Sequence, residues 1–365
     1  MDHLFSFLLT LAAGGIFGLI FVFFKVPNGL RIGALLGAAL LGIFFNAAWV
    51  PSQTRYIVQI IAGCLIGCTM EKSYLKSLRR IIKPGTVVVG TFLILNLVLG
   101  ALIHAISPLD RVTSLMCVIP GGVTDIPIIA ADMGADTPKV ALLQLARYIV
   151  GVGLFPPMIL GFDNFLQKAK AKKAASPGQD GVFPAAPAAV GIKREKSGAN
   201  STAALICTLA AGSAAGFIGY LTRIPGGTFL FSVLAVLVLK LKFDLAFISP
   251  WAKKIALLLS GCYIGSLMTM EDVRSFGLLA LPLVVTLSGF IVNCFITGNI
   301  LCKTCGLSRK EGMLATTPAG ASDIALNSAD LGVMNPDIIV IHVFRTLIAI
   351  GLFPQIINAL LLVLP

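Results

Sequence analysis

The sequence predicts an all-α polytopic membrane protein built from two inverted five-helix repeats, each with a re-entrant broken helix. Three observations predict it. First, of 365 residues 57% are hydrophobic and 12% charged, with a mean hydropathy of +0.95, whereas soluble chains carry about 25% charged residues. Second, one offset of 198 residues brings the two halves into register without a gap. Third, the basic residues are divided unevenly between alternate loops. At about 20 residues per spanning helix, ten helices use about 200 residues and leave chain for loops and one linker.

The register is read from residue pairs. Val26-Pro27 falls on Ile224-Pro225, Gly63-Cys64 on Gly261-Cys262, Pro84 on Pro282, Pro138 on Pro336 and Arg147 on Arg345. Pro120-Gly121-Gly122-Val123-Thr124-Asp125 lands on Pro318-Ala319-Gly320-Ala321-Ser322-Asp323, and Leu154-Phe155-Pro156 on Leu352-Phe353-Pro354. The chain divides into a first membrane repeat (1–162), a basic linker (163–200) and a second, inverted repeat (201–365). The linker is rich in Ala, Pro, Gly and Lys, a composition that cannot bury a core and predicts a solvated, flexible connection.

Each copy holds six apolar elements, at about 4–24, 30–50, 55–71, 84–106, 112–135 and 138–161, then about 203–221, 227–247, 252–270, 276–301, 312–334 and 337–363. The first lacks a basic leader-type start and is longer than a signal-peptide core, so it is read as a span. In both copies the fifth element is interrupted, by PGGVTD in one and PAGASD in the other, and proline with glycine breaks a helix there. Charge settles whether this element crosses. If it turns back and the N-terminus is outside, twenty-one of the 28 basic residues face the cytoplasm and five face out, with Arg147 and Arg345 inside spans. A crossing fifth element would move the linker outside and erase the asymmetry, so the positive-inside rule favours re-entry. Five spans per copy then place the copies in opposite orientation, with the linker inside and both termini outside. Inverted repeats are a common construction of secondary transporters.

The candidate site residues follow from the breaks. Irregular backbone at membrane depth must be buried in protein or line a wet cavity. A half-helix starting near Asp125 or Asp323 offers free N–H groups and a positive end to an anion, while carbonyls ending the preceding half-helix suit a cation. Substrate or ion binding is therefore expected at Gly121, Gly122, Thr124, Asp125, Gly320, Ser322 and Asp323, with Arg147 and Arg345. Asp132, Asp330, Gln144 and His342 support the site, because ionisable groups at such depth are costly and either pair or line a pathway. The alternative for Asp132 and Asp330 is an ion pair with Arg147 and Arg345. Gly121 and Gly122 are expected for close approach or positive φ. Asn96 and Asn293 lie inside spans and are expected to bond to a neighbouring helix.

The PGG-x-[TS]-D break, followed by Ala130-Ala131-Asp132-Met133-Gly134-Ala135-Asp136 and Leu142-Leu143-Gln144-Leu145-Ala146-Arg147, resembles the AbrB-type bacterial membrane protein family. The likeness covers about 26–161 and 224–357; copy two departs from it at Ala319, at Asn327-Ser328 and at His342. The resemblance implies a bacterial inner-membrane, multi-pass protein and carries the labels transcription regulator and ammonia monooxygenase. In plan the chain also resembles the cation:proton antiporter and anion transporter superfamily of two inverted five-span halves.

Enzyme and nucleic-acid readings fare worse. His3, His104 and His342 are the only histidines, too few for a multi-histidine copper centre, and no P-loop, G-x-S-x-G or HExxH occurs. Eight cysteines sit mostly in apolar segments and predict no disulfide framework, and Cys302-Lys303-Thr304-Cys305 lacks further zinc ligands. No direct nucleic-acid contact is expected. The expected partners are membrane lipid, a small solute or ion and at most a second copy of the chain. No cofactor is expected beyond Na⁺ or H⁺ as coupling ion. The function expected is ion-coupled transport of a small solute, an organic anion favoured over a cation. The alternative is a membrane-embedded regulator that acts indirectly and transports nothing.

Overall fold

A computed structural model describes residues 3–24, 26, 29–69, 72–123, 125–155, 157–162, 200–318, 333 and 335–363. Among them every regular element is helical. The first half contains α1 (His3–Phe23), α2 (Gly29–Phe45), α3 (Thr54–Cys68), α4 (Lys72–Ile106), α5 (Arg111–Val118), α6 (Asp125–Asp132) and α7 (Thr137–Gly153). The second contains α8 (Asn200–Leu221), α9 (Gly227–Val238), α10 (Pro250–Ser266), α11 (Met270–Arg274), α12 (Ala280–Cys305), α13 (Arg309–Ala315), α14 (Pro336–Gly351) and α15 (Phe353–Val363).

Helix starts follow local chemistry. Asp110 caps α5 by accepting from the Thr113 amide, and Asp136 caps α7 by accepting from Lys139. At the repeat position of Asp110, Ser308 caps α13 in a reciprocal box with Glu311. Each cap satisfies an amide that the first turn leaves without an intrahelical partner. The fourth element departs from expectation, because α4 begins at Lys72 and carries Pro84 inside it. Its cationic stretch runs on as helix into the apolar one. In copy two Pro282 stands instead in the first turn of α12, after a 3₁₀ segment at Ser275–Leu279, where a missing N–H breaks no bond.

Among the described residues five stretches are long and apolar enough to cross a membrane: His3–Phe23, Arg80–Ile106, Thr202–Leu221, Gly277–Cys305 and Asp337–Leu362. Gly29–Phe45 and Thr54–Cys68 are shorter apolar helices. Helix α2 lies against α10 of the other half, and α9 against α3, so each half packs its second helix on the third helix of the other half.

Glycines make these crossings close. A Cβ on Gly63 would stand 2.8 Å from Ser232 Cβ, and one on Gly261 would stand 2.7 Å from Ala34 Cβ; the pairs are related by the repeat offset. The next turn repeats the arrangement, with Gly67 2.8 Å from Val236 Cβ and Gly265 2.9 Å from Ala38 Cβ. Between helices in lipid there is little hydrophobic drive, so association depends on such backbone approach and on interhelical hydrogen bonds. Those bonds are duplicated too. Thr10 Oγ1 accepts from the Trp49 amide at 3.0 Å and Thr208 Oγ1 from the Phe247 amide at 2.9 Å. Cys262 Sγ donates to the Thr10 carbonyl, and Cys64 Sγ to that of Thr208. The 198-residue register of the sequence is thus also a register of contacts.

Gly63→Val and Gly261→Val are expected to lower stability by about 1–3 kcal/mol each through overpacking of the crossing. Gly15→Ala and Gly90→Ala, where a Cβ meets nothing within 4 Å, should leave the thermal midpoint of the detergent-purified protein unchanged. Equal midpoints for all four variants would contradict the packing described.

Candidate functional site: the broken elements and their arginines

The first break begins where α5 ends at Val118 and closes where α6 begins at Asp125, as the motif predicts. A helix end leaves carbonyls without intrahelical partners, and in lipid no water replaces them. Helix α7 supplies the partners. Gln144 Nε2 donates to the carbonyls of Met116, Cys117 and Ile119 at 3.2, 3.2 and 3.1 Å. One turn on, Arg147 Nη2 donates to the Gly121 carbonyl at 2.8 Å. Spacing of three residues puts both side chains on one helix face. These carbonyls are therefore not an open cation site, contrary to the sequence reading; the protein's own amide and guanidinium occupy them.

Beyond the turn, the Asp125 side chain folds back over Gly122, where a Cβ would collide with the carboxylate. A Cβ on Gly121 would stand 2.6 Å from Ile126 Cδ1 and 3.3 Å from Ile350 of α14. Both glycines are thus required for close approach. Neither has the positive φ also considered from sequence, which among the described glycines occurs at Gly134, Gly226 and Gly306. Thr124 lies outside the described residues.

The second break repeats the pattern with different chemistry. His342 Nε2 lies 2.8 Å from the Leu314 carbonyl, the repeat position of Met116, and Arg345 Nη1 donates to the Thr317 carbonyl at 2.8 Å. Asn96 Nδ2 donates to the Leu115 carbonyl, and at the matching positions Cys294 Sγ donates to that of Met313. Gly320, Ser322, Asp323 and Asp330 lie outside the described residues.

The arginines tie the halves together. Arg147 Cζ lies 5.5 Å from the centroid of Phe290, and Arg345 Cζ lies 5.3 Å from that of Phe92. Phe92 and Phe290, themselves repeat equivalents, meet at 5.9 Å. All four side chains are buried, the arginines at 2% and 3% exposure. A desolvated guanidinium over an aromatic face gains about 2 kcal/mol, which helps offset the repulsion between the two cations. Nearby, a Cβ on Gly151 of α7 would stand 2.8 Å from the Pro318 carbonyl. Each half's sixth element therefore touches the other half's break.

Asp132 belongs to a different cluster, two helical turns from Asp125. Arg55 Nε pairs with it at 3.2 Å, Gln59 Nε2 donates to it at 2.7 Å and the Gly226 amide at 3.3 Å. The expected alternative of an Asp132–Arg147 pair is thereby corrected, because α6 carries Asp132 away from the break while α7 holds Arg147 at it. Asn293 is corrected as well: its Oδ1 accepts from Thr297 within the same helix. Sequence reasoning missed Arg31, Arg55, Gln59, Phe92 and Phe290. Arg31 is 7% exposed and acts electrostatically on Asp125, although its place at a loop edge reads as a solvated charge. Phe92 and Phe290 carried a signal, their common repeat position.

The fold and the two tied breaks define a helical protein with membrane-spanning stretches and a duplicated, charged interior. A family model described as "Transition state regulatory protein AbrB" matches residues 32–361, and the chain belongs to this AbrB family. It is similar to "Putative regulator AbrB" of Escherichia coli (strain K12), 26% identical over 324 residues covering 86% of this chain and 84% of that protein. It is also similar to "Uncharacterized protein YhjN" of Bacillus subtilis (strain 168), 26% identical over 163 residues, 43% of this chain and 42% of that one.

A double-mutant cycle separates the two arginine roles. Arg55→Gln and Asp132→Asn should couple by about 0.5–3 kcal/mol in thermal unfolding. Asp132→Asn should not rescue Arg147→Gln, and rescue would restore the pairing excluded here.

Proposed function

We propose that the chain is a secondary transporter of the bacterial inner membrane, moving a small solute through a midplane site between the two broken elements. In this reading the repeats are inverted, each with five spans and a re-entrant break, and the linker is cytoplasmic. Asp125, with Asp323 at the matching repeat position, holds the coupling Na⁺ or proton. The solute is an organic anion, drawn by Arg147 and Arg345. No bond is made or broken in it.

The single observation that carries the reading is the reciprocal placement of two buried arginines at two helix breaks, each packed on the other half's phenylalanine. Ionisable groups inside a membrane protein are expensive and generally serve a pathway. A merely structural break is satisfied by neutral donors such as Gln144, and needs no charge. In this reading the two breaks also give alternating access a pivot, since one half can rock against the other around a fixed site.

A second reading is favoured by one specific observation, the printed name of the Escherichia coli relative, which calls that protein a regulator. In that reading the same interior senses a solute and signals through the basic linker without transport.

Flux in proteoliposomes separates them. Against a panel of carboxylates and cations, with and without Na⁺ and pH gradients, at least one organic anion should accumulate. Asp125→Asn should abolish that flux while the protein stays folded by size-exclusion chromatography. Gly122→Val should abolish it as well, because its side chain meets the Asp125 carboxylate. No flux of any solute, or full flux in Asp125→Asn, would overturn the transporter reading.

A further inference from the structure

A cavity of about 260 Å³ lies where the first half meets the second, lined by Phe162, Phe295, Asn299, Arg309 and Met313. Phe162, from the last described stretch of the first half, meets Phe295 of α12 edge-on, with ring centroids 4.6 Å apart. The rest of the lining comes from α12 and α13, which are joined by the short turn Gly306 to Ser308.

Residue spacing orders this lining by depth. Phe295 and Asn299 are four apart on α12, and Arg309 and Met313 four apart on α13, so each pair shares a helix face. The two helices run back side by side from their turn. A Cβ on Gly298 would stand 3.0 Å from Met313 Cγ, and Cys294 Sγ donates to the Met313 carbonyl at 3.4 Å. Asn299 and Arg309 therefore share the turn end of the cavity, with Phe295 and Met313 one helical turn deeper. The polar pair is exposed, the two phenylalanines are half-buried and Met313 is buried. The cavity is thus polar at its mouth and apolar inside. Beside it on α12, Val292 and Ile296 stand 54% and 55% exposed, an apolar surface of the kind that meets acyl chains.

Charge at the mouth selects the ligand. Lys303 is exposed in the last turn of α12, and Lys83 Nζ donates to the neighbouring Thr304 carbonyl at 2.7 Å, so two further cations stand at the end that carries Arg309. Glu311 offsets one of them, and its oxygens already accept from the Ser308 amide and the Asn335 side chain. At the repeat positions of Lys83, Asn299 and Lys303 the other half has Leu281, Ala101 and Ala105. The duplicated packing therefore does not require these polar groups.

A free inorganic anion would use the cations and leave the apolar wall wet. An uncharged chain would cover the wall and leave the cations unused, and a choline headgroup would bring a like charge to them. Basic pockets between membrane helices suit anionic headgroups. We propose that this cavity binds one anionic phospholipid, its phosphate on Arg309 and the Asn299 amide, and the upper part of one acyl chain against Phe295, Phe162 and Met313. The lipid bridges the two halves where Phe162 meets Phe295. The site requires a membrane but no flux, and it stands whether the chain transports a solute or regulates without transport.

The test is lipid binding to the full-length protein in detergent, read by native mass spectrometry and as the thermal midpoint. The probes are dioleoyl-phosphatidylglycerol, dioleoyl-phosphatidylcholine, glycerol 1-phosphate and inorganic phosphate. Phosphatidylglycerol should bind more tightly than phosphatidylcholine and raise the midpoint further, and the two chainless phosphates should bind more weakly still. Arg309→Gln should weaken phosphatidylglycerol about tenfold or more, the worth of one lost charge-assisted hydrogen bond. Asn299→Trp, which places an indole in the mouth and removes no charge, should weaken it as well. Both positions are exposed, and size-exclusion chromatography checks that the variants remain folded. Lys253→Gln, which removes an exposed basic residue away from the cavity, should keep the wild-type preference. Equal binding of the two lipids overturns the site, as does a chainless phosphate that binds as tightly as phosphatidylglycerol. An equal loss in Arg309→Gln and Lys253→Gln would reduce the effect to general surface charge and equally overturn it, and so would wild-type binding in Asn299→Trp.

Discussion

The structure turns on the satisfaction of helix-end carbonyls at a place without water. Once α5 stops at Val118, the carbonyls of its last turn must find donors inside the protein, since lipid offers none. Gln144 meets three carbonyls and Arg147 a fourth. In the other half His342 and Arg345 stand at the same positions. Using arginine for this has a consequence that glutamine would not: a full charge is brought into the interior and must itself be stabilised. The phenylalanine of the opposite half does part of that work. The halves are therefore joined at their most polar point as well as along their apolar faces.

The rest of the architecture follows from holding those two arginines near each other. Phe92 and Phe290 can meet only if α4 and α12 cross at equivalent points. The close crossings of α2 with α10 and α9 with α3 then fix the outer helices around that centre. Glycine at Gly63, Gly67, Gly261 and Gly265 makes the approach possible, and the threonines Thr10 and Thr208 anchor the chain after the second helix of each half. Two sets of contacts, one polar and central, the other small and peripheral, obey the same repeat offset.

Much of this was legible in the sequence, and the part that was not has a physical reason. Pro120, Gly121 and Gly122 announced the break, and Asp125 marked the start of the next half-helix, because both act through local backbone chemistry. The register was legible because duplication preserves spacing. The partners of buried charges were not. Asp132 is seven residues from Asp125 and sits at the same apparent depth, yet it faces Arg55 and Gln59. Which way a half-helix leaves its break depends on packing that no spacing records. Arg31 and Arg55 read as loop charges for the same reason, and Pro84 read as a helix start although α4 runs through it. The carbonyl ends of the half-helices looked open to a cation because nothing in the one-dimensional pattern tells that Gln144 and Arg147 reach back to them.

The central claim is that Arg147 is a built-in counter-charge of the first break, fixed between its own Gly121 carbonyl and the phenylalanine of the other half. An experimental structure in lipid nanodiscs, resolving side chains at the centre, tests it most directly. The account predicts the Arg147 guanidinium within hydrogen-bond distance of the Gly121 carbonyl, with Phe92 and Phe290 in contact beside it. A guanidinium turned onto Asp132, with water or a metal ion on the α5 carbonyls, would contradict it.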